Sequence, residues 1–215
     1  MRWTFCKSVA SFVCAVVLTT SAHAVAILSN LPGTPSVTGT NLGLGTDAVD
    51  RTKGVGLTMG SVPHEFESMV VLMSNTSPAS TLSGGIFASV SNTPTTQLAS
   101  FTPIAVGENV SPTLMTLTTA TPFTLLPATT YWFVLDGPSD TVQALRWQLL
   151  SPDTTPTAAV GIIYRGYRFS DTGGASWVSS SSFNGVTINA IPIPEPACGL
   201  AIVALGCGIA CRRKR

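Results

Sequence analysis

Apolar residues follow three different patterns along the chain. One continuous apolar stretch occupies residues 8–20, a second occupies residues 197–211, and short apolar or alternating runs fill the region between them. A helix that spans a membrane needs about 20 apolar residues, so the first stretch is too short and the second is marginal. The pattern predicts an N-terminal signal helix and a short C-terminal hydrophobic helix on either side of a separate domain.

The middle of the chain has the run lengths and alternation of β-strands. No part of residues 25–190 shows a helical period, and Lys, Glu and Arg are too scarce to form solvated helix faces. Turn-forming residues separate the runs, and residues 29–46, rich in Gly, Pro, Ser and Thr, are expected to form a looser lead-in. The predicted strands are 54–58, 67–73, 85–91, 114–118, 130–135, 144–150, 160–164 and 186–190, with weaker candidates at 97–101 and 175–178. Together they predict one all-β domain, an antiparallel β-sandwich of jelly-roll type.

The N-terminal end has the three parts of a secretory signal. Arg2 and Lys7 supply positive charge before the apolar stretch, and Ala22 and Ala24 flank a small-x-small cleavage site. We therefore expect residues 1–24 to be a signal peptide that the Sec machinery recognises and signal peptidase removes after Ala24.

The C-terminal end carries a second signal. The tripeptide Pro194-Glu195-Pro196 precedes the uncharged stretch 197–211, and four basic residues close the chain: Arg212, Arg213, Lys214 and Arg215. Such a basic cluster favours retention on the cytoplasmic side of a membrane, which leaves the domain on the other side. Residues 191–215 are thus expected to form a sorting segment with a short transmembrane helix.

This segment resembles the PEP-CTERM sorting signal of Gram-negative bacteria, in which the tripeptide, an apolar helix and a basic cluster follow one another in this order. The resemblance implies that an exosortase, a membrane-embedded cysteine transpeptidase, processes the tag near the tripeptide. It also implies an inner-membrane-anchored precursor, a final place at the cell surface or outside the cell, and association with exopolysaccharide in a biofilm. An ordinary tail anchor is the alternative interpretation of the same residues.

Three passages of the middle region resemble a second family. Residues 123–135, 167–177 and 53–59 resemble passages of the choice-of-anchor β domains, and type R is the type that they suggest. These domains carry interchangeable surface-attachment tails. The family has no established activity, so the resemblance implies a β domain and surface attachment but no catalytic residues.

Composition excludes several kinds of chemistry from residues 25–190. All five cysteines lie in the terminal segments, which removes disulfides, thiol nucleophiles and thiolate metal sites from the domain. Ser and Thr make up 46 of its 166 residues, a composition that favours strands and turns. The same region holds nine acidic and five basic residues, a net charge near −4. No basic face exists to neutralise phosphates, so we expect no nucleic-acid partner.

Catalytic and metal-binding motifs are weak. His64 is the only histidine of the domain, and no Gly-x-Ser-x-Gly elbow accompanies it. Asp171-Thr172-Gly173 matches an aspartic protease tripeptide, but that chemistry needs a second carboxylate, and the sequence there favours a hairpin turn. We therefore expect no enzyme, no cofactor and no metal site.

Two pairs of loop carboxylates keep a structural calcium ion open as an alternative. Asp47 with Asp50, and Asp136 with Asp140, place carboxylates where backbone carbonyls could complete an oxygen shell. Neither pair has EF-hand spacing, and aspartates in such positions commonly form turns.

Aromatic residues near the end of the domain suggest a glycan site. Flat rings stack on sugars, and basic residues beside them attract acidic polysaccharide. We expect Trp132, Trp147 and some of the other rings to fill the core instead. The possible glycan-binding residues are Tyr164, Tyr167 and Trp177, with Phe169, Arg165 and Arg168 beside them.

These features favour an exported, non-enzymatic protein of the cell surface or extracellular matrix. The first alternative is a carbohydrate-binding module with a specific ligand. A weaker alternative is a glycan-acting hydrolase, which requires two carboxylates about 5 to 10 Å apart in a groove.

Overall fold

A computed structural model describes residues 23–76, 78–142 and 144–194, and within these ranges it contains sixteen strands and no helix. One sheet, sheet 1, contains β1 (Val25–Ser29), β2 (Pro35–Asn41), β5 (His64–Asn75), β9 (Val110–Leu117), β10 (Phe123–Leu125), β12 (Leu145–Leu150), β13 (Thr157–Ala158) and β16 (Val186–Pro192). The other, sheet 2, contains β3 (Gly43–Leu44), β4 (Asp50–Thr58), β6 (Ser80–Val90), β7 (Thr93–Ser100), β8 (Ile104–Val106), β11 (Thr130–Asp136), β14 (Ile163–Ser170) and β15 (Val178–Ser180).

The strands of each sheet pair in antiparallel fashion. Sheet 1 has the order β13-β1-β16-β5-β12-β2. Outside this order, β9 and β10 also pair with the long strand β5. Sheet 2 has the order β15-β14-β4-β11-β6-β7, with β3 on β4 and β8 on β6. The all-β prediction is confirmed, and the two antiparallel sheets are consistent with a β-sandwich.

The core lies between the two sheets and is built from rings and aliphatic side chains of alternating positions. Phe66 on β5 contacts Phe133 on β11, with ring centroids 5.6 Å apart. Trp147 on β12 meets Tyr167 on β14 edge to face, also at 5.6 Å. Each of these side chains is almost fully buried. Burial of a large apolar side chain stabilises a fold by about 1.5–3 kcal/mol, so these cross-sheet contacts hold the two layers together.

Within residues 29–46, where the sequence predicts a loose lead-in, the structure has two strands, β2 and β3. β2 pairs with β12, and Gly39 lies so close to this neighbour that an added Cβ would stand 2.7 Å from the Trp147 carbonyl oxygen. β2 is an edge strand whose side chains are mostly exposed or half-buried, as Val37 shows with 94% exposure. It therefore lacks the apolar alternation by which a strand is recognised in a sequence.

Two predicted boundaries also differ from the structure. The predicted strand 160–164 contains a turn, in which the Ile162 N–H donates to the Ala159 carbonyl oxygen and Gly161 has φ +83°. The last strand, β16, continues to Pro192, so the folded domain extends two residues past the expected limit at 190. Ile191 and Pro192 pair with β5, and the first two residues of the predicted sorting segment thus belong to sheet 1.

The strand pairings show where the chain leaves the domain after Pro192 relative to the two ends of sheet 2. Pro192 pairs with His64 at the start of β5, and β5 follows β4 after a short connection from Thr58. β11 runs from Thr130, opposite Thr58, to Asp136 at the other end of the sheet. Because a strand rises about 3.3 Å per residue, Asp136 lies about 20 Å from the end at which the chain leaves the domain.

The terminal predictions fall outside the described residues. These are the signal helix with Ala22, the tripeptide residues Glu195 and Pro196, the hydrophobic helix, and the basic residues Arg212, Arg213, Lys214 and Arg215. Ala24 and Pro194 are described, and both lie in irregular chain just outside the first and last strands. Within the described ranges, no helix has the length and apolar character that would let it cross a membrane.

Candidate functional site: a groove on the outer face of sheet 2

The outer face of sheet 2 contains a buried tryptophan. Tyr131 and Phe133 of β11 belong to the core, and successive side chains of a strand point to opposite faces. Trp132 and Val134 therefore lie on the outer face, yet their exposed fractions are 0% and 3%. A buried aromatic side chain on the solvent side of a sheet requires a cover or a recess in the neighbouring strands.

Glycines of β4 create the recess for Trp132. Gly56 pairs with Trp132, and a Cβ built on Gly56 would stand 2.8 Å from the indole ring. Gly54 pairs with Val134 in the same way, with its added Cβ 3.0 Å from a Val134 methyl carbon. Without side chains at these two positions, the Trp132 ring lies across the backbone of β4. The Trp132 indole N–H donates to Ser89 Oγ at 3.2 Å.

An open groove lies on this face, with Val134 in its floor. It has a volume of about 420 Å³, within the range usual for small-ligand sites. Its walls combine aromatic rings with hydroxyl, amide and carboxylate groups. The lining residues are Thr52, Ser83, Gly84, Phe87, Thr95, Gln97, Ser100, Phe101, Pro103, Val134, Asp136, Gly173, Gly174 and Trp177.

One wall is the turn that joins β14 to β15. Gly173 and Gly174 both have positive φ, +59° and +89°, a conformation that glycine adopts without strain. The Gly174 N–H donates to Ser170 Oγ at 2.9 Å, which fixes the turn to the end of β14. Trp177 follows this turn, is half-buried, and lies within van der Waals reach of the Gly174 Cβ position, at 3.8 Å. The turn thus lies beside the Trp177 indole at the edge of the groove.

The opposite wall comes from β7. Gln97 is exposed, and its Nε2 donates to the Gly84 carbonyl oxygen at 3.3 Å and to Ser100 Oγ at 3.2 Å. Phe87 on β6 pairs with Gln97 and places a half-buried ring beside the amide. The groove therefore has a ring on each side, Trp177 and Phe87, and a hydrogen-bonded amide beside the Phe87 ring.

Asp136 provides a carboxylate at the end of the groove far from Pro192. Its Oδ1 accepts a hydrogen bond from the Gly137 N–H at 2.9 Å. Burial raises the pKa of Asp136, the Gly137 N–H lowers it, and the Asp50 carboxylate adds a smaller increase, which together bring the pKa to about 6. An acid retained in a cleft with a strongly shifted pKa is typical of binding and catalytic sites. At neutral pH the group is ionised and able to accept hydrogen bonds.

Replacing Asp136 with asparagine is expected to stabilise the fold above pH 6. A carboxyl group whose native pKa is raised stabilises the fold fully below pH about 4 and loses that contribution as the pH rises through about 6. Discounted for partial exposure, the gain of D136N is about 1 kcal/mol at pH 7.5 and vanishes at pH 3.5. Denaturant unfolding of both proteins at the two pH values measures it. An equal difference at both pH values would contradict the shifted pKa.

Arg168 lies next to the groove on the same outer face. Its guanidinium carbon is 5.9 Å from the Trp132 ring centroid, and its buried Nε has no hydrogen-bond partner among the described residues. The cation therefore interacts with a ring and not with a carboxylate. Arg165 also faces outward, and its Nε donates to Thr58 Oγ1 at 2.6 Å, at the other end of the sheet.

The predicted aromatic cluster is divided between two faces. Tyr167 is 2% exposed, and its hydroxyl donates to the Asn184 carbonyl oxygen at 2.6 Å, so it is a core residue and its place in a surface glycan site is wrong. Tyr164 packs against Tyr167 with ring centroids 6.2 Å apart, and burial raises the pKa of its hydroxyl far above the usual value. A bulge between Tyr164 and Gly166 turns both tyrosines inward. Trp177 alone of the three lies in the groove.

The other polar candidates have local partners. Asp47 and Asp171 both pair with Arg51, at 2.8 and 2.9 Å, in an exposed group of three charges. His64 Nδ1 donates to the Val62 carbonyl oxygen at 2.9 Å. Among the groove-lining residues, Asp136 supplies the single carboxylate. Within the described ranges, no three His, Cys, Asp or Glu residues stand close enough together to hold a metal ion.

Comparison of the chain with protein-family models, curated proteins and solved structures found no match. The fold and the groove therefore define the class of the protein by themselves. It is an antiparallel β-sheet protein of two layers with a glycine-floored, ring-edged groove on the outer face of one layer.

Most groove residues carry no distinctive motif in the sequence. Gln97, Ser83 and Phe87 lie in ordinary strand segments, and Asp136 reads as a turn residue. One available signal was the alternation of glycines at 54 and 56, which leaves one face of a strand without side chains. The sequence does not show that Trp132 packs on this face of β4, because that contact depends on the register between β4 and β11.

Proposed function

We propose that this protein is an exported, non-enzymatic β-sandwich of jelly-roll type that binds polysaccharide in the groove of sheet 2. It serves as a component of the cell surface or extracellular matrix. The observation that carries the proposal is that the Trp177 and Phe87 rings, the Gln97 amide and the Asp136 carboxylate line one open groove.

Sugars offer two kinds of surface to a protein, and the groove has a partner for each. The C–H faces of a pyranose pack on flat aromatic rings, and Trp177 and Phe87 supply such rings. Adjacent hydroxyls form hydrogen bonds with planar amides and carboxylates, which Gln97 and Asp136 supply. The groove is open, so a polysaccharide chain can pass through it without a free end.

A neutral polysaccharide fits the groove better than an acidic one. The domain has a net charge near −4, and the groove itself contains the Asp136 carboxylate. The nearby cation, Arg168, is committed to the Trp132 ring. An acidic chain would meet repulsion that this single guanidinium does not offset.

The terminal signals complete the proposal. The PEP-CTERM resemblance supports export, temporary anchoring in the inner membrane and processing by an exosortase. The chain leaves the domain after Pro192, at the end of the sandwich opposite Asp136. A chain held in the membrane by its C-terminus would therefore present the Asp136 end of the groove away from the membrane. Replacing Glu195 with alanine is expected to leave the tag on the chain in an exosortase-bearing host, and unchanged processing would count against sorting.

Replacing Trp177 with alanine tests the groove. The variant is expected to bind a neutral β-glucan about tenfold or more weakly, because an aromatic ring that stacks on a sugar contributes about 1.4 kcal/mol or more. Affinity electrophoresis in gels containing β-glucan or alginate measures the binding and its selectivity. Trp177→Phe keeps a ring and retains most of the retardation.

Val37→Ala is the matched control, since Val37 is exposed on the other sheet. Equal retardation of the Trp177→Ala variant and the unchanged protein would contradict the groove as the binding site. Stronger retardation in alginate than in β-glucan would contradict the neutral ligand.

A further inference from the structure

A lysine lies in the interior of the sandwich without a counter-ion. Lys53 on β4 is 1% exposed, and it forms no ion pair within the part of the chain that the structure describes. Its Nζ donates to Thr40 Oγ1 at 3.1 Å and to the Ser182 carbonyl oxygen at 3.2 Å, and lies 5.3 Å from the Tyr167 ring centroid. Burial of a charge without a carboxylate is costly, so a neutral or covalently modified amine suits this position better.

A buried asparagine shares a hydrogen-bond partner with this lysine. Asn184 precedes β16 and is 0% exposed. Its Nδ2 donates to Thr40 Oγ1 at 3.4 Å and also to the Trp147 carbonyl oxygen. Its amide oxygen, Oδ1, is buried and has no hydrogen-bond partner in the part of the chain that the structure describes. An unpaired buried amide oxygen is unfavourable, and hydrogen bonding alone therefore does not account for this residue.

We propose that Lys53 and Asn184 are joined by an intramolecular isopeptide bond. The Lys53 Nζ attacks Asn184 Cγ, the Nζ–Cγ bond forms, and the Cγ–Nδ2 bond breaks. The nitrogen of the asparagine amide leaves as ammonia, and no oxidant or cofactor takes part. The product is a neutral secondary amide in place of a buried cation and a buried primary amide.

The surroundings favour this reaction. Only the neutral amine is a nucleophile, and burial lowers the pKa of Lys53 to about 8, against a smaller opposite effect of Asp153. The Thr40 hydroxyl contacts both nitrogens and can pass the proton that Nζ loses to the departing Nδ2. Rings of Tyr167 and Phe183 pack together beside the site, which limits the access of water.

The bond would connect the two sheets. Lys53 belongs to sheet 2, whereas Asn184 bridges to Leu149 and leads into β16 of sheet 1. The domain has no cysteine, so it has no disulfide to perform this role. A covalent link between distant residues restricts the unfolded chain as a disulfide does, and it resists reduction.

Tryptic peptide mapping of the exported, unaltered protein tests the proposal. The expected product is a branched peptide that contains both Lys53 and Asn184, lacks cleavage after Lys53, and is lighter than the two linear peptides together by one ammonia. The link is also expected to give faster migration in a denaturing gel. Lys53→Arg and Asn184→Ala each abolish the branched peptide, whereas Asn189→Ala, a change at another asparagine, leaves it in place.

The same peptide map distinguishes the isopeptide bond from a second reaction that also releases ammonia. Asn184 precedes Gly185, and such a pair can close to a succinimide without any lysine. That product leaves Lys53 open to trypsin. Cleavage after Lys53 in the denatured, unaltered protein overturns the proposal, whether the ammonia is lost or retained, and this result depends on no variant and no sugar ligand.

Discussion

Replacing Trp147 with alanine is expected to lower the free energy of unfolding by about 4 kcal/mol. The indole is completely buried, its N–H donates to the Gly185 carbonyl oxygen at 2.9 Å, and its ring meets Tyr167 edge to face. The change removes a cross-sheet contact and leaves a cavity. It also removes one of the two hydrogen bonds that the Gly185 carbonyl oxygen accepts, the other coming from the Leu72 N–H at 3.1 Å.

Urea unfolding followed by circular dichroism measures this loss. Trp177→Ala is the matched control, because it deletes the same side chain from the half-exposed edge of the groove, and it is expected to cost less than 1 kcal/mol. Similar losses in the two variants would show that Trp147 does not hold the sheets together.

The second large effect is expected at Gly84, where alanine lowers the free energy of unfolding by about 3 kcal/mol. Gly84 has φ +143°, and a Cβ there would overlap the carbonyl oxygen of Val134 on the paired strand. Accommodating the methyl group requires β6 and β11 to separate, which also displaces the groove wall formed by Gln97. The variant is therefore expected to lose sugar binding as well as stability.

Gly166→Ala separates backbone strain from steric overlap. Gly166 lies in the same sheet and also has positive φ, +91°, but no atom of the described residues stands within 4 Å of its Cβ position. Its replacement is expected to cost about 1 kcal/mol, the usual effect of placing a side chain at positive φ. Thermal unfolding of both variants measures the difference. A loss at Gly84 no larger than that at Gly166 would contradict the overlap with Val134.

Strands with apolar alternation were predictable from the sequence, and those without it were not. β11 and β5 stand out because they are long apolar segments in the centres of their sheets. β2 contains Pro35 and Gly39 and exposes most of its side chains, so composition suggested a loop. Its pairing with β12 depends on residues far away in sequence, which local patterns do not report.

The candidate site depended even more on tertiary structure. The sequence placed Tyr164 and Tyr167 beside Trp177, and the bulge that turns both tyrosines into the core has no local signature apart from Gly166. The groove brings together β4, β6, β7, β11 and the turn before β15, segments that are distant along the chain. Residue types alone indicated an aromatic sugar site, but only strand register shows which rings share a face.

The most direct test of sugar binding in the groove is a titration of the exported protein with a neutral β-glucan oligosaccharide. The nuclear magnetic resonance signals of the indole N–H groups of Trp132, Trp147 and Trp177 are followed. Saturable shifts at Trp177, smaller shifts at Trp132 and none at the core residue Trp147 are expected. Unchanged Trp177 signals at millimolar sugar, or equal shifts at all three indoles, would contradict a polysaccharide site in this groove.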